Sequence, residues 1–328
     1  LYVVIATNAD SSSLFDVSLY YDTTLLDAQT VAAATALKDN DFVTWKTNAT
    51  LEVTTKTALT GGTNGTANAA AHQAALDKFE SYSFNTLGCP TDDNTTAKLY
   101  MNYTKRMRDE IGAKFQTVIF NLSSNAKIAD YEGVIEVASK ATDYPSNVAG
   151  IGQYALVYWV TGASAGCAVN KSNTNKKYDG ELSIDVDKTQ ADLAADIEAG
   201  RFVMHNVNGD VRVLEDINSL TTTSDTKGDI FKSNQTIRVC DQTANDAAVL
   251  FNTRYLGVVA NDAAGRISLW NDICKLHQAL ENIRAIENFE PDSVTVEQGE
   301  TKRSVLCTIK DLNIINAMEQ LYMSIVIM

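Results

Sequence analysis

A chain of 328 residues is long enough for about two domains with sizeable cores, and 45% hydrophobic with 21% charged residues is ordinary for a folded protein. The net charge of −14 and a pI near 4.6 argue against a nucleic-acid binder, which needs a basic footprint to displace counterions. Cys89, Cys167, Cys240, Cys274 and Cys307 stand far apart without a CxxC pair, as reduced thiols of a cytosolic protein do, and no apolar run nears the roughly 20 residues that span a bilayer.

The chain opens on Leu1-Tyr-Val-Val-Ile, without an initiator Met or a charged signal start, which reads as a fragment that begins inside a strand. From Leu1 to Leu59 strand signals dominate. Phe15, Val17 and Leu19 alternate before a turn at Tyr20-Tyr21-Asp22, and Leu51 and Val53 alternate with Glu52 and Thr54. Between them the Ala-rich stretch Asp27 to Leu37 predicts a short helix. Leu59-Thr-Gly-Gly-Thr-Asn-Gly-Thr66 reads as a loop; its glycines lack the Gly-Lys-Ser/Thr of a phosphate cradle. A helix over Ala69 to Lys78 follows. Ser81 to Leu87, Thr96 to Gly112 and Phe115 to Phe120 then read strand, helix, strand, with Val134 to Ala138 the next strand. That alternation implies a small parallel α/β sheet.

Two motifs that could carry chemistry lie between Val148 and Cys167. Gly150-Ile-Gly152-Gln-Tyr-Ala155 matches the dinucleotide fingerprint, which requires a strand directly before it, yet Asp143 to Asn147 reads as a turn. Gly162-Ala-Ser164-Ala-Gly166 matches the nucleophile elbow of serine hydrolases, which also needs a strand upstream. Ala155, Trp159, Gly162 and Gly166 instead fall on one helical face, whose small residues suit close packing. A hydrolase could recruit Ser164 with His205 or His277 and an acid such as Asp216. The bland reading, a packed helix, is preferred, and a nucleotide-binding α/β protein is the other alternative. His72, His205 and His277 have no metal partner at helical spacing, so no cofactor or metal is expected.

Past the polar loop Asn170 to Gly180, Gln190 to Ala199 predicts a helix ending at Gly200. Asn208-Gly209, between Phe202–His205 and Val211–Val213, predicts a hairpin. In Thr236 to Leu256, Ile237 and Val239 suggest a short buried strand, with Asp241 to Thr243 capping a helix that carries Ala244, Ala248, Phe251 and Tyr255 on one face. Asp262 to Ile286 predicts an amphipathic helix with Trp270, Ile273, Leu276, Leu280 and Ile283 inward and Arg266, Asn271, Lys275, Gln278 and Asn282 on its other side. Val294–Val296 and Ser304–Ile309 read as two strands around a turn. The last stretch, Glu319 to Met328, is unusually apolar. Leu321, Met323, Ile325 and Ile327 would share one strand face, either closing the chain's own sheet or inviting another chain.

The order of these features resembles the contractile-tail sheath proteins of phages and prophage particles. The matching stretches are Leu59 to Gly65, Phe79-Glu-Ser-Tyr-Ser-Phe-Asn-Thr-Leu87, Asp130-Tyr-Glu-Gly-Val-Ile135, Ala163 to Gly180, Val213-Leu-Glu-Asp-Ile-Asn-Ser-Leu220, Ile237-Arg-Val239, Ala285-Ile-Glu-Asn-Phe289 and Ala317-Met-Glu-Gln-Leu-Tyr-Met323. The resemblance runs over nearly the whole chain, with these stretches in the family's order. The resemblance implies a mixed α/β, multidomain structural protein rather than an enzyme. It would have an N-terminal β-rich region (1–75), partly packing with the C-terminal domain, an α/β domain (76–188), and a C-terminal α+β assembly domain (189–328) ending in an arm (319–328). It implies helical rings of copies around an inner tail tube, capped by baseplate and tail terminator proteins, with no nucleic-acid or membrane partner. The location it implies is a virion tail assembled in the bacterial host cytoplasm. Leu321, Tyr322, Met323, Ser324, Ile325, Val326 and Ile327 would then exchange strands with a neighbouring subunit, reversing the closing-strand reading. Arg266 and Lys275 would touch the tube.

Overall fold

The computed structural model describes residues 1–59, 67–123, 127–145 and 150–326. It divides into two compact units, Leu1–Thr66 and Ala67–Met328.

The first unit is an antiparallel sheet of β1 (Tyr2–Thr7), β2 (Phe15–Tyr21), β3 (Thr24–Val31) and β4 (Thr54–Ala58), in the order β3-β2-β1-β4. Val3, Val17, Val31, Ala34 and Leu37 form its core. The turn before β3 places Asp22 at φ 52°, a left-handed position that Asp tolerates. Asp27 to Leu37 is not a helix. Asp27 pairs with Leu19 and Val31 with Phe15 across the β2–β3 ladder, and only Ala34–Ala36 make a 3₁₀ turn. Sheet pairing overrides the helix propensity of the alanines here. Leu51 and Val53 precede β4 rather than belong to it. The predicted loop at Leu59 to Thr66 lies, beyond Leu59, outside the described residues, as do positions 146–149 of the turn before Gly150.

The second unit is built on a parallel sheet. In chain order it comprises α1 (Ala69–Phe79), β5 (Thr86–Cys89), α2 (Asn94–Arg106), β6 (Gln116–Phe120), β7 (Val134–Val137), α3 (Leu156–Ala165), α4 (Gln190–Glu198), β8 (Arg201–Phe202), β9 (Met204–Val207) and β10 (Asp210–Val213). It continues with α5 (Asn234–Leu250), α6 (Ala263–Asn282), β11 (Val294–Gln298) and β12 (Val305–Ile309). Strands β5, β6, β7 and β8 lie side by side, all parallel. Both faces of β6 are covered. Ile119 packs toward α1 and α2 with Leu76, Tyr100 and Tyr103, whereas Val118 and Phe120 pack toward α3 with Leu156 and Val160. This accounts for the unbroken apolar run Val118 to Phe120.

Asp93 caps α2 by accepting from the amides of Thr95 and Thr96. The helix runs on into a π turn, Met107–Ile111, that ends at Gly112 with φ 90°. Asn208 and Gly209, both at positive φ, join β9 to β10 as the expected hairpin.

The first half of Thr236 to Leu256 departs from expectation: Ile237 and Val239 sit in α5, which starts at Asn234 under a Ser233 cap. Its opening residues Asn234, Gln235 and Thr236 are polar yet buried. Asn234 accepts from Gln116 Nε2 (2.9 Å) and donates to Asp216 Oδ1 (2.9 Å). With polar groups facing inward, the apolar period of the first turn is lost to the eye. Arg108, in the π turn after α2, is joined to Asp241 of the same helix through paired bonds of 2.6 and 2.8 Å. On α6, Ile273 and Leu280 face the core as expected, but Ile283 lies past the helix end and is exposed.

Candidate assembly site

The C-terminal stretch is fastened at one place and free beyond it. Ile314 bridges Ile286, flanked by Glu287 N donating to Asn313 O (2.9 Å) and Ile315 N to Ala285 O (3.0 Å). A glutamine amide carries both donor and acceptor, and the buried Gln235 uses both. Its Nε2 donates to Ile315 O (3.0 Å), and its Oε1 accepts from Ala317 N (2.9 Å). Glu319 Oε1 then accepts from Ser172 Oγ (3.0 Å) and Thr174 Oγ1 (2.7 Å). Burial pushes the nearby Glu215 carboxyl up, and the Glu319 charge adds to the rise. The root is thus held by neutral donors. Neither Gln235 nor the two hydroxyls gave any sequence signal, since nothing in a linear pattern marks a partner 80 to 147 residues away.

Past Glu319 the chain adopts no regular structure through Val326. Leu321, Tyr322, Met323, Ile325 and Val326 are 73% to 88% exposed, and Ser324 is exposed with them. Ile327 lies outside the described residues. This is a row of large exposed apolar side chains on backbone that pairs with no strand among the described residues. Strands β11 and β12 present the complementary feature. They pair only with each other, so both outer edges of this hairpin are unoccupied among the described residues. One face of the hairpin is seated on α6 through Leu269, Ile273 and Cys274, and Trp270 Nε1 donates to Val294 O (2.9 Å).

Arg266 and Lys275 are not brought together. Nine residues apart at about 100° per residue, they point to opposite sides of α6. The Arg266 guanidinium turns to the Asn261 loop, donating to Asn261 O (3.2 Å) and Oδ1 (3.1 Å). Lys275 is 70% exposed, bonds Asp272 Oδ1 at 2.9 Å, and shares its face with Asn271, Gln278 and Asn282.

The motifs that suggested chemistry have structural roles. Ser164 sits in the last turn of α3, buried, not on a strand-to-helix turn, and no hydrogen bond joins it to a histidine among the described residues. His277 Nδ1 lies 2.9 Å from Ile273 O in a ring stack with Phe289, and His72 Nδ1 lies 3.2 Å from Tyr100 OH. Burial, then Arg212, push the His205 pKa down. Gly150 O accepts from Tyr158 OH (2.7 Å), and a 3₁₀ turn, Gln153–Ala155, leads into α3. The expected close approach at Gly162 is absent, since a Cβ there would meet nothing within 4 Å. The close contact is at Gly88 on β5, where a Cβ would fall 2.7 Å from Thr161 Oγ1 of α3. No group of three or more His, Cys, Asp or Glu is placed to hold a metal, and no helix is long and apolar enough to cross a membrane, among the described residues.

Three family models account for almost the entire chain in order. These are the phage tail sheath protein beta-sandwich domain over residues 1–64, the phage tail sheath protein central domain over 65–219, and the phage tail sheath C-terminal domain over 226–328. The chain belongs to the phage tail sheath family. A sheath tail protein from Desulfitobacterium hafniense matches at 32% identity and TM-score 0.73, over 90% of this chain and 69% of that one. One from Listeria innocua matches at 27% identity and TM-score 0.75, over 95% and 74%. The fold alone is shared with the anti-feeding prophage helical sheath in its contracted state, at 13% identity and TM-score 0.60 over 78% and 73%. The chain spans about half the length of the curated relatives it matches: 56%, 56% and 48%. The sheath family is structural, a component of the virion tail, and the chain's mixed α/β, multidomain architecture is that of its sheath relatives.

Proposed function

We propose that the protein is the structural subunit of a contractile phage or prophage tail sheath. It polymerises as helical rings around the inner tube and contracts to drive that tube through the host envelope. In this reading it has no catalytic role, and its partners are further copies, the tube protein, and the baseplate and tail terminator proteins. The observation that carries the reading is the anchored arm: a root fixed by Gln235 and Glu319, followed by exposed apolar residues Leu321 to Val326, in a sheath-family chain. Strand exchange with a neighbour satisfies the arm's backbone groups and covers its side chains irrespective of net charge, so copies at −14 can still join. We assign residues 189–328 to assembly and 76–188 to an α/β body whose sheet takes its last strand, β8, from the assembly region. Lys275, on the open face of α6, is the residue proposed to meet the tube, with Arg266 bracing the loop behind it.

Negative-stain electron microscopy of the complete protein, beside a version truncated before Leu321, tests this. Hollow tubes from the complete protein that are lost on truncation are expected. Dispersed particles from both, or tubes from both, would overturn the role given to the arm.

A further inference from the structure

The hydroxyl of Ser164 is out of keeping with the other helical hydroxyls. Those of Thr104, Thr161, Thr243 and Thr253 each donate to the carbonyl four residues back, at 2.7 to 2.9 Å. Ser164 Oγ, in the last turn of α3, is buried and has no hydrogen-bond partner among the described residues. Arg238 of α5 is in a similar position. Its Nη2 donates to Asp216 Oδ2 (2.7 Å) and Lys171 O (2.9 Å), but Nε and Nη1 are buried without partners among the described residues. Ser164 and Arg238 line one cavity of about 70 Å³, between the end of α3, the middle of α5 and the starts of β5 and β6. It has room for a small ion, since a water needs only roughly 10–15 Å³.

The wall supplies donors and positive charge rather than acceptors. The amide N–H groups of Gln116 are committed to Glu132 O (3.0 Å) and Asn234 Oδ1 (2.9 Å). The wall carboxylate, Asp241, is held by Arg108 through both oxygens. Burial pushes the Cys167 thiol up, so this wall residue adds no negative charge. Lys114 brings an ammonium to the wall, with Nζ donating to Arg108 O (2.5 Å). Counting the wall and its direct ion-pair partners, three cations (Lys114, Arg108 and Arg238) face two carboxylates (Asp216 and Asp241). A water could accept from Ser164 and Arg238 but would also have to place its own two hydrogens. A monovalent anion accepts from every donor and offsets the surplus charge.

We propose that this cavity binds a small monovalent anion of chloride or bromide size, held by Ser164 Oγ and by Nε and Nη1 of Arg238, with Lys114 supplying the compensating charge. The site is independent of the assembly reading. The bound ion ties α3 to α5, and the stability of the folded chain rises with halide concentration.

The test follows the melting temperature of the protein while bromide replaces gluconate, an anion too large for the cavity, at constant ionic strength. A rise that grows with the logarithm of bromide concentration is expected. Ser164→Ala and Lys114→Gln both leave the Arg238–Asp216 pair intact, and each should move that rise to about tenfold higher bromide. No rise, or the same rise in the wild type and both variants, overturns the site. Anomalous diffraction from crystals grown in bromide should place the ion beside Ser164 Oγ and the Arg238 guanidinium. Density for water alone there overturns the proposal; a bromide peak without the melting response marks an adventitious ion only and overturns it as well.

Discussion

Replacing Arg108 with methionine should expose how firmly α5 is held to the π turn that follows α2. Arg108 and Asp241 are side chains of 6% and 13% exposure joined by two bonds of 2.6 and 2.8 Å, and Arg108 Nη1 also donates to Phe115 O (2.6 Å). Methionine fills much of the arginine stem but leaves the Asp241 carboxylate buried without its cation. Breaking such a pair from one side costs about 3–5 kcal/mol, roughly a fifth or more of a typical folding free energy of about 5–15 kcal/mol. At about 2–4 °C per kcal/mol for a unit of this size, the melting temperature should fall by roughly 6–20 °C. Burial already pushes the Asp241 carboxyl up against the pull of Arg108. Without Arg108 the folded-state value rises further above the unfolded one, so the deficit is full at neutral pH and narrows as pH falls through the folded value. Adding Asp241→Leu removes the stranded charge and should recover most of the loss. Urea unfolding followed by far-UV circular dichroism, on both single variants and the double, measures each arm of the cycle. A loss below about 1 kcal/mol in Arg108→Met, or a double variant no more stable than that single one, would refute the reasoning.

Three further outcomes follow from local geometry. Burial raises the Asp130 carboxyl, but Thr222 Oγ1, the amides of Thr221 and Thr222, and Lys127 together hold it down at about 2. A depressed carboxylate stabilises the fold above its unfolded value, near 4, and that contribution is lost as pH falls toward about 2; Asp130→Asn should flatten this limb of an acid titration. Gly112→Ala and Gly162→Ala both place a Cβ in open space, but only Gly112 has a positive φ. The first should destabilise by about 1 kcal/mol and the second, within α3, should stabilise by about 0.5–1 kcal/mol, as read by chemical denaturation. Glu319→Ala removes the acceptor for Ser172 and Thr174 and should speed proteolysis and amide exchange around 316–320 without altering exchange in α6; unchanged rates at the root would show that Gln235 holds it alone.

The readable parts of this chain are those where one local period decides the structure. Asn208-Gly209 demands a tight hairpin, and the spacing of Leu99, Tyr103 and Met107 gives α2 and the π turn after it a buried stripe, from which Ile111, next at the same spacing, turns out to solvent. The unreadable parts are those where distant partners decide. Asn234 and Gln235 look like loop residues until Gln116, Asp216 and the Ile315–Ala317 segment meet them, so the start of α5 reads as a strand and a later cap. Asp27 to Leu37 shows a helical composition but follows β2, whose ladder claims its first half. Arg108 and Asp241 stand 133 residues apart, beyond any motif. The arm itself was legible as an apolar terminus, but whether it closed its own sheet or stayed free depended on the family resemblance and on where Gln235 stops holding it.

The short chain of bonds at the arm root also sets where mechanical load travels. Tension on Leu321 or Met323 reaches Ala317, whose amide is bonded to Gln235 on the first turn of α5. The adjoining Asn234 is bonded to Gln116, the first residue of β6. A pull is therefore delivered within three side chains to the middle of the parallel sheet, where the neighbouring strands share it in parallel. A second branch leaves the same root, because Ile315 N donates to Ala285 O just beyond α6, so a pull on the arm is divided between the parallel sheet and the end of α6.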